Sequence, residues 1–147
     1  MARYVIDTNL YVAADRDLAW AEELERFSTA YLPFIHFHAV VAQELLAGAI
    51  DRRREKLVED SLIQPFERRG SVLTPSFAAW KAAGHALSQL VRQKLMSPGG
   101  FQRSFLNDCV LAASCREAGA TLVKLNRDDF EIIGKVMRFE FTEPWPE

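Results

Sequence analysis

The sequence predicts an α/β fold: a small, mainly parallel sheet with helices on both faces. Three observations carry this. Short β-branched or aromatic runs at residues 4–6, 31–36, 72–74 and 121–123 alternate with longer stretches whose apolar residues recur at helical spacing. The runs are short and mostly apolar, which suits strands covered on both faces. Turn formers punctuate the boundaries, most clearly Ser97-Pro98-Gly99-Gly100. Right-handed crossovers then gather the strand C-terminal tips on one edge of the sheet.

The elements follow in order. Tyr4, Val5 and Ile6 form the first strand, with Asp7 at its tip and Thr8 or Asn9 capping the helix beyond. Leu10, Ala13, Ala14, Leu18, Ala21, Leu24 and Phe27 keep helical spacing to about residue 30, with a break at Asp15-Arg16-Asp17. A Pro-led run, 31–36, suits a brief second strand with His36 at its tip. Residues 37–50 read as an apolar helix interrupted by Gln43 and Glu44. Residues 51–66 form a charged helix whose reach Pro65 limits. After the strand at 72–74, Pro75 near N1 starts a helix that runs to about Met96. A further helix spans 101–118, and Gly119 supplies its left-handed cap. The strand at 121–123, a short helix at 126–133 and a last strand at 136–141 complete the chain. The tail Glu143-Pro144-Trp145-Pro146 is too proline-rich to join a sheet.

A chain of 147 residues suits one domain, residues 1–147, with a single sizeable core. The formal charge of −2 gives no global basic signal, so a nucleic acid would have to be met by a local patch. Cys109 and Cys115 form neither a C-x-x-C motif nor a disulfide framework and read as reduced thiols on one helix. With no basic n-region leading an apolar one, and no apolar span of membrane length, a cytoplasmic protein is expected.

Two acids have neighbours unsuited to a solvated charge. On a helix, Glu44 lies beside Val40, Ala47 and Gly48, and Asp108 lies beside Ser104, Phe105, Leu111 and Ala112. Each alone fits a structural salt bridge: Glu44 with Arg52, Asp108 with Arg103 or with its own helix terminus. Together with Asp7 they suggest carboxylates converging on one edge. Such carboxylates repel and raise each other's pKa unless positive charge lies between them. A hard divalent cation resolves this, and Mg²⁺ or Mn²⁺ suits an oxygen donor set better than zinc. The chemistry that follows is metal-assisted phosphodiester hydrolysis.

At these residues the chain resembles PIN-domain ribonucleases, most closely the VapC-type toxins of toxin–antitoxin pairs. The resemblance lies in Val5-Ile6-Asp7-Thr8-Asn9, Val41-Ala42-Gln43-Glu44-Leu45-Leu46-Ala47-Gly48, Asn107-Asp108-Cys109-Val110-Leu111-Ala112-Ala113, and Gly119-Ala120-Thr121-Leu122-Val123 through Asn126-Arg127-Asp128-Asp129-Phe130. The four segments stand in the family's order and span nearly the whole chain. The resemblance implies a PIN-like three-layer fold and a Mg²⁺-dependent (or Mn²⁺-dependent) endoribonuclease with Asp7, Glu44 and Asp108 as its metal-binding acids. It further implies a cognate antitoxin, an RNA substrate and a homodimer. Where the family often carries a fourth acid, this chain has Asn126, with Asp129 as a substitute; this bears on a second metal more than on the first.

Thr8 and Asn9 can bond to Asp7, the ion or a phosphate, or cap the first helix. Arg103, Lys124 and Arg127 are the bases nearest the acids and the candidates for RNA contact, though each also suits an ordinary surface charge. Arg52-Arg53-Arg54 reads as a solvated face or an antitoxin contact, and Phe101 as a gap filler. Other functions fit the same residues: a PIN nuclease of RNA processing without an antitoxin, or a catalytically silent scaffold that binds RNA or protein. A two-histidine ribonuclease is disfavoured, because His85 lies on a different helix from the strand-end pair His36 and His38.

Overall fold

The computed structural model describes residues 2–125 and 128–146. Among these, five strands form one all-parallel sheet: β1 (Arg3–Ile6), β2 (Ile35–His38), β3 (Val72–Leu73), β4 (Ala120–Val123) and β5 (Phe141–Thr142). Their order is β3-β2-β1-β4-β5. The chain steps outward from β1 through β2 to β3, then crosses back to β4 on the other side of β1. Right-handed crossovers therefore put the helices before β3 on one face and those after it on the other. The reversal falls between β1 and β4. In open parallel sheets, the crevice beyond the strand tips at such a reversal is where ligands bind.

The helices are α1 (Thr8–Arg16), α2 (Leu18–Tyr31), α3 (Ala39–Ala47), α4 (Arg52–Val58), α5 (Gln64–Arg68), α6 (Phe77–Arg92), α7 (Arg103–Ala118) and α8 (Asp128–Ile133). The most buried of the long ones is α7, with Cys109 through Cys115 all inside. It packs on β4, α6 and α8. Gly119 at φ 67° ends it in the left-handed conformation expected of that position, and β4 begins one residue later. Val5, Ile6, Ile35, Phe37, Leu122 and Val123 fill the middle layer. Both cysteines are buried and unpaired with each other. Among the described residues, no helix is long and apolar enough to cross a membrane.

Several local expectations are revised. The cap of α1 is Asp7 itself rather than Thr8 or Asn9: its Oδ1 accepts the Thr8 N–H at 2.8 Å. Leu32–Phe34 form a short 3-10 turn, which delays β2 to Ile35–His38, so His36 lies within the strand and His38 at its tip. His38 caps α3 by accepting the Val40 N–H at Nδ1, 3.1 Å. Its other ring nitrogen is 2.8 Å from Ser114 Oγ on α7. With Nδ1 accepting, the proton sits on Nε2 and is donated to the serine.

Pro65 does not end its helical stretch. Glu59–Ile63 widen into a π-type turn in which the Gln64 N–H reaches Glu59 O, and the helix continues as α5 to Arg68. Pro75 precedes the cap of α6, which is Ser76, and that helix stops at Arg92. The last strand is Phe141–Thr142; residues 136–139 lead into it, and Glu140 O accepts the Leu122 N–H of β4 at 3.0 Å. The start of the short helix expected at Asn126 lies outside the described residues, and α8 begins at Asp128.

Candidate active site

Four carboxyl groups come together beyond the tips of β1 and β4, each delivered by a different element. Asp7 ends β1, Glu44 lies in the last turn of α3, Asp108 in the second turn of α7, and Asp129 at the start of α8. The tip of β1 is held against β4 by the Asp7 N–H, which donates to Val123 O at 2.9 Å. That register places Asp7 beside Lys124 across the two strands. Asp7 is 3% exposed and Lys124 2%.

The electrostatics record the convergence. Asp7 is pushed up to about 6, first by burial, then by Glu44 and Asp129; the Thr8 N–H and the Lys124 ammonium oppose this. Asp108 is pushed up to about 9, again first by burial, then by Asp7, by a hydrogen bond with Asp129, and by the charges of Asp129 and Glu44. A hydrogen bond between two carboxyl groups requires a proton on one of them. The cluster thus holds a proton at neutral pH where separate acids would not. Glu44 is tied to the first helix through Thr8, whose hydroxyl donates to Glu44 Oε1 at 2.7 Å.

The donor set is all oxygen, as Mg²⁺ and Mn²⁺ prefer. Among the described residues, no three such side chains close on one point tightly enough to form a coordination shell. The acids stand as a charge cluster, in which Asp108 is raised by burial and by its acidic neighbours. A bound cation relieves crowding of this kind. In chemistry and in charge, the residues fit a hard divalent ion.

The salt-bridge alternatives for Glu44 and Asp108 find no support: their partners are Thr8 and Asp129, on other elements. The ion pair seen among the described residues is peripheral, Arg54 to Asp15 at 2.6 Å, both exposed. Of the expected supporting residues, Thr8 touches Glu44, while Asn9 is exposed on the first turn of α1. Arg103 is exposed at the start of α7. Lys124 is buried, its Nζ 4.9 Å from the centroid of the Phe141 ring, a placement that supports the acids rather than a strand in solvent. Asn126 and Arg127 lie outside the described residues. Phe101 stacks on Phe105 at 6.2 Å, in keeping with a packing role. The link the sequence did not suggest is Asp108 to Asp129; the signal available was the DD pair at the head of a short helix, just before Phe130.

Comparison with known proteins sharpens this picture. A family model described as "PIN domain" matches residues 4–136. No curated protein matches the chain in sequence. Among solved structures, a chain of the DNA-bound VapBC of Salmonella typhimurium is similar with a TM-score of 0.70 at 16% identity, covering 97% of this chain and 98% of that one. VapBC2 of Rickettsia felis, bound to a promoter DNA fragment, gives 0.66 at 20% identity, with 97% and 98% covered. FitAcB of Neisseria gonorrhoeae gives 0.67 at 14%, with 97% and 98% covered.

Proposed function

The chain belongs to the PIN-domain family, and from that premise we propose that it is a divalent-metal-dependent endoribonuclease, the toxin of a toxin–antitoxin pair. The observation that carries the reading is the cluster of Asp7, Glu44, Asp108 and Asp129 at the strand-order reversal, two of its members raised by burial and by their neighbours' charge. The family is one of nucleases, and the similar folds come from VapBC and FitAB complexes, which supports a partner antitoxin. A homodimer belongs to the same reading.

Asp7 and Asp108 would hold Mg²⁺ or Mn²⁺, with Glu44 and Asp129 completing the negative shell. When bound, the ion polarises the phosphoryl oxygen and screens the substrate phosphate from the carboxylates. The chain's own groups do the rest. Thr8 fixes the Glu44 carboxylate, so that its orientation does not have to be set at the moment of reaction. Asp108, raised to about 9 by burial and its acidic neighbours, is suited to proton transfer with an entering or leaving oxygen. Arg103 and Asn9, exposed on the first turns of α7 and α1, would contact a substrate phosphate.

The test is cleavage of single-stranded RNA with Mg²⁺ or Mn²⁺, in the presence and absence of chelator. Cleavage is expected only with metal and is expected to vanish in Asp7→Asn and Asp108→Asn. Activity that survives complete chelation sinks the mechanism. Metal binding and RNA binding without cleavage would favour a silent scaffold instead.

A further inference from the structure

We propose that Lys124 is a resident cation of the acidic cleft, a positioning residue that supplies beside Asp7 the positive charge a second metal ion would bring. The cleft then takes a single divalent ion; this last clause rests on the metal-site reading above.

The placement is set by backbone. Ile6 and Val123 are partners in the parallel register of β1 and β4, so Asp7 and Lys124 are the next pair along and leave the sheet side by side. Asp7 donates its N–H to Val123 O at 2.9 Å, and Lys124 donates its own to Thr142 O at 3.0 Å. Both residues are thereby pinned at the central strand tips. The lysine is 2% exposed, and its ammonium lies 4.9 Å from the centroid of the Phe141 ring on β5. Its charge acts on Asp7 against the charges of Glu44 and Asp129.

A lysine this buried is costly unless a counter-charge compensates it. Asp7, its neighbour across the strand tips, stands in reach of that charge. A tethered cation cannot dissociate. It also repels an incoming dication, which favours one bound ion over two.

Lys124→Met keeps an apolar stem against Phe141 and removes the charge, while Lys124→Arg keeps the charge and alters the shape. Thermal unfolding is measured in chelator for Lys124→Met, Asp7→Asn and the double variant, and Mn²⁺ binding by calorimetry on the same full-length chains. Lys124→Met is expected to lower the melting temperature strongly in the parent and far less in the Asp7→Asn background. The parent is expected to bind one Mn²⁺ per chain. Lys124→Met should bind Mn²⁺ on the order of tenfold more tightly, because a like charge has gone. Lys124→Arg should match the parent affinity. An equal loss of melting temperature in both backgrounds would show that Lys124 merely packs, and overturns the proposal. Two Mn²⁺ per parent chain overturns the single-ion clause. If no variant binds Mn²⁺, the metal reading itself fails, while the unfolding comparison still decides whether Lys124 and Asp7 pair.

Discussion

Replacing Asp7 by Asn is expected to destroy the activity and yet strengthen the fold. Asp7 is 3% exposed and raised from 3.8 to about 6, so its ionised form is penalised in the native state. At about 1.4 kcal/mol per pKa unit, the penalty reaches at most about 3 kcal/mol once the group is fully ionised. The sign follows from the folded value lying above the unfolded one. The native state binds more protons between pH 3.8 and about 6, so stability is present at low pH and lost as pH rises through that window. Asparagine does not titrate and is as good a helix cap as aspartate, so the bond from the Thr8 N–H survives. Part of the gain will be lost to strain in a site built for a carboxylate. A net stabilisation of about 1 to 3 kcal/mol at pH 8 corresponds to roughly 3 to 9 °C in melting temperature for a chain of this size. The assay is thermal unfolding in chelator at pH 4 and pH 8. The two proteins should melt together at pH 4 and separate at pH 8, with the variant higher. A variant that melts lower at pH 8 refutes the reasoning, since the attraction between the Asp7 charge and Lys124 would then outweigh the cost of burying that charge.

Thr8→Val removes the hydroxyl that donates to Glu44 Oε1 but keeps the β-branched shape. Stability should fall by about 1 kcal/mol, while Mn²⁺ affinity, read by calorimetry, should fall roughly 10- to 100-fold, as for other ligand-orienting bonds. His38 is fully buried and held down to about 4 by burial, so its neutral form is the native one. Its contribution is present above pH 6.5 and is lost as pH falls through about 4, and unfolding scans of parent and His38→Phe should converge in acid. At pH 7 that variant should be less stable by about 2 to 4 kcal/mol, having lost a cap and left Ser114 without the imidazole.

What the sequence showed best were features with local causes. The Tyr4–Ile6 run, the break at Asp15-Arg16-Asp17 and the left-handed Gly119 follow from side-chain sterics and capping, and each lies where it was expected. Features with non-local causes were harder to see. The last strand was placed too early because residues 136–141 resemble a strand, while sheet pairing reaches only Phe141 and Thr142. Pro65 looked like a stop because a proline removes a backbone donor, and the π-type turn that absorbs it has no compositional mark. At the site, Asp7, Glu44 and Asp108 stood out through their apolar neighbours. The pairing of Asp108 with Asp129, the burial of Lys124 and the bond from Thr8 to Glu44 each join residues far apart in the chain or on separate elements, and only the folded topology reveals them.

The central position of β1 also bears on how the protein comes into being. β1 leaves the ribosome well before one of its two sheet partners, β4, which begins at Ala120. At roughly 5 to 20 residues per second of synthesis, Asp7 waits several seconds before Val123 exists to accept its N–H. Asp108 and Asp129 arrive on the same late segment. A growing chain therefore cannot assemble the acid cluster, whatever its earlier helices do. Whatever activity depends on the assembled acids begins only once the chain is nearly complete.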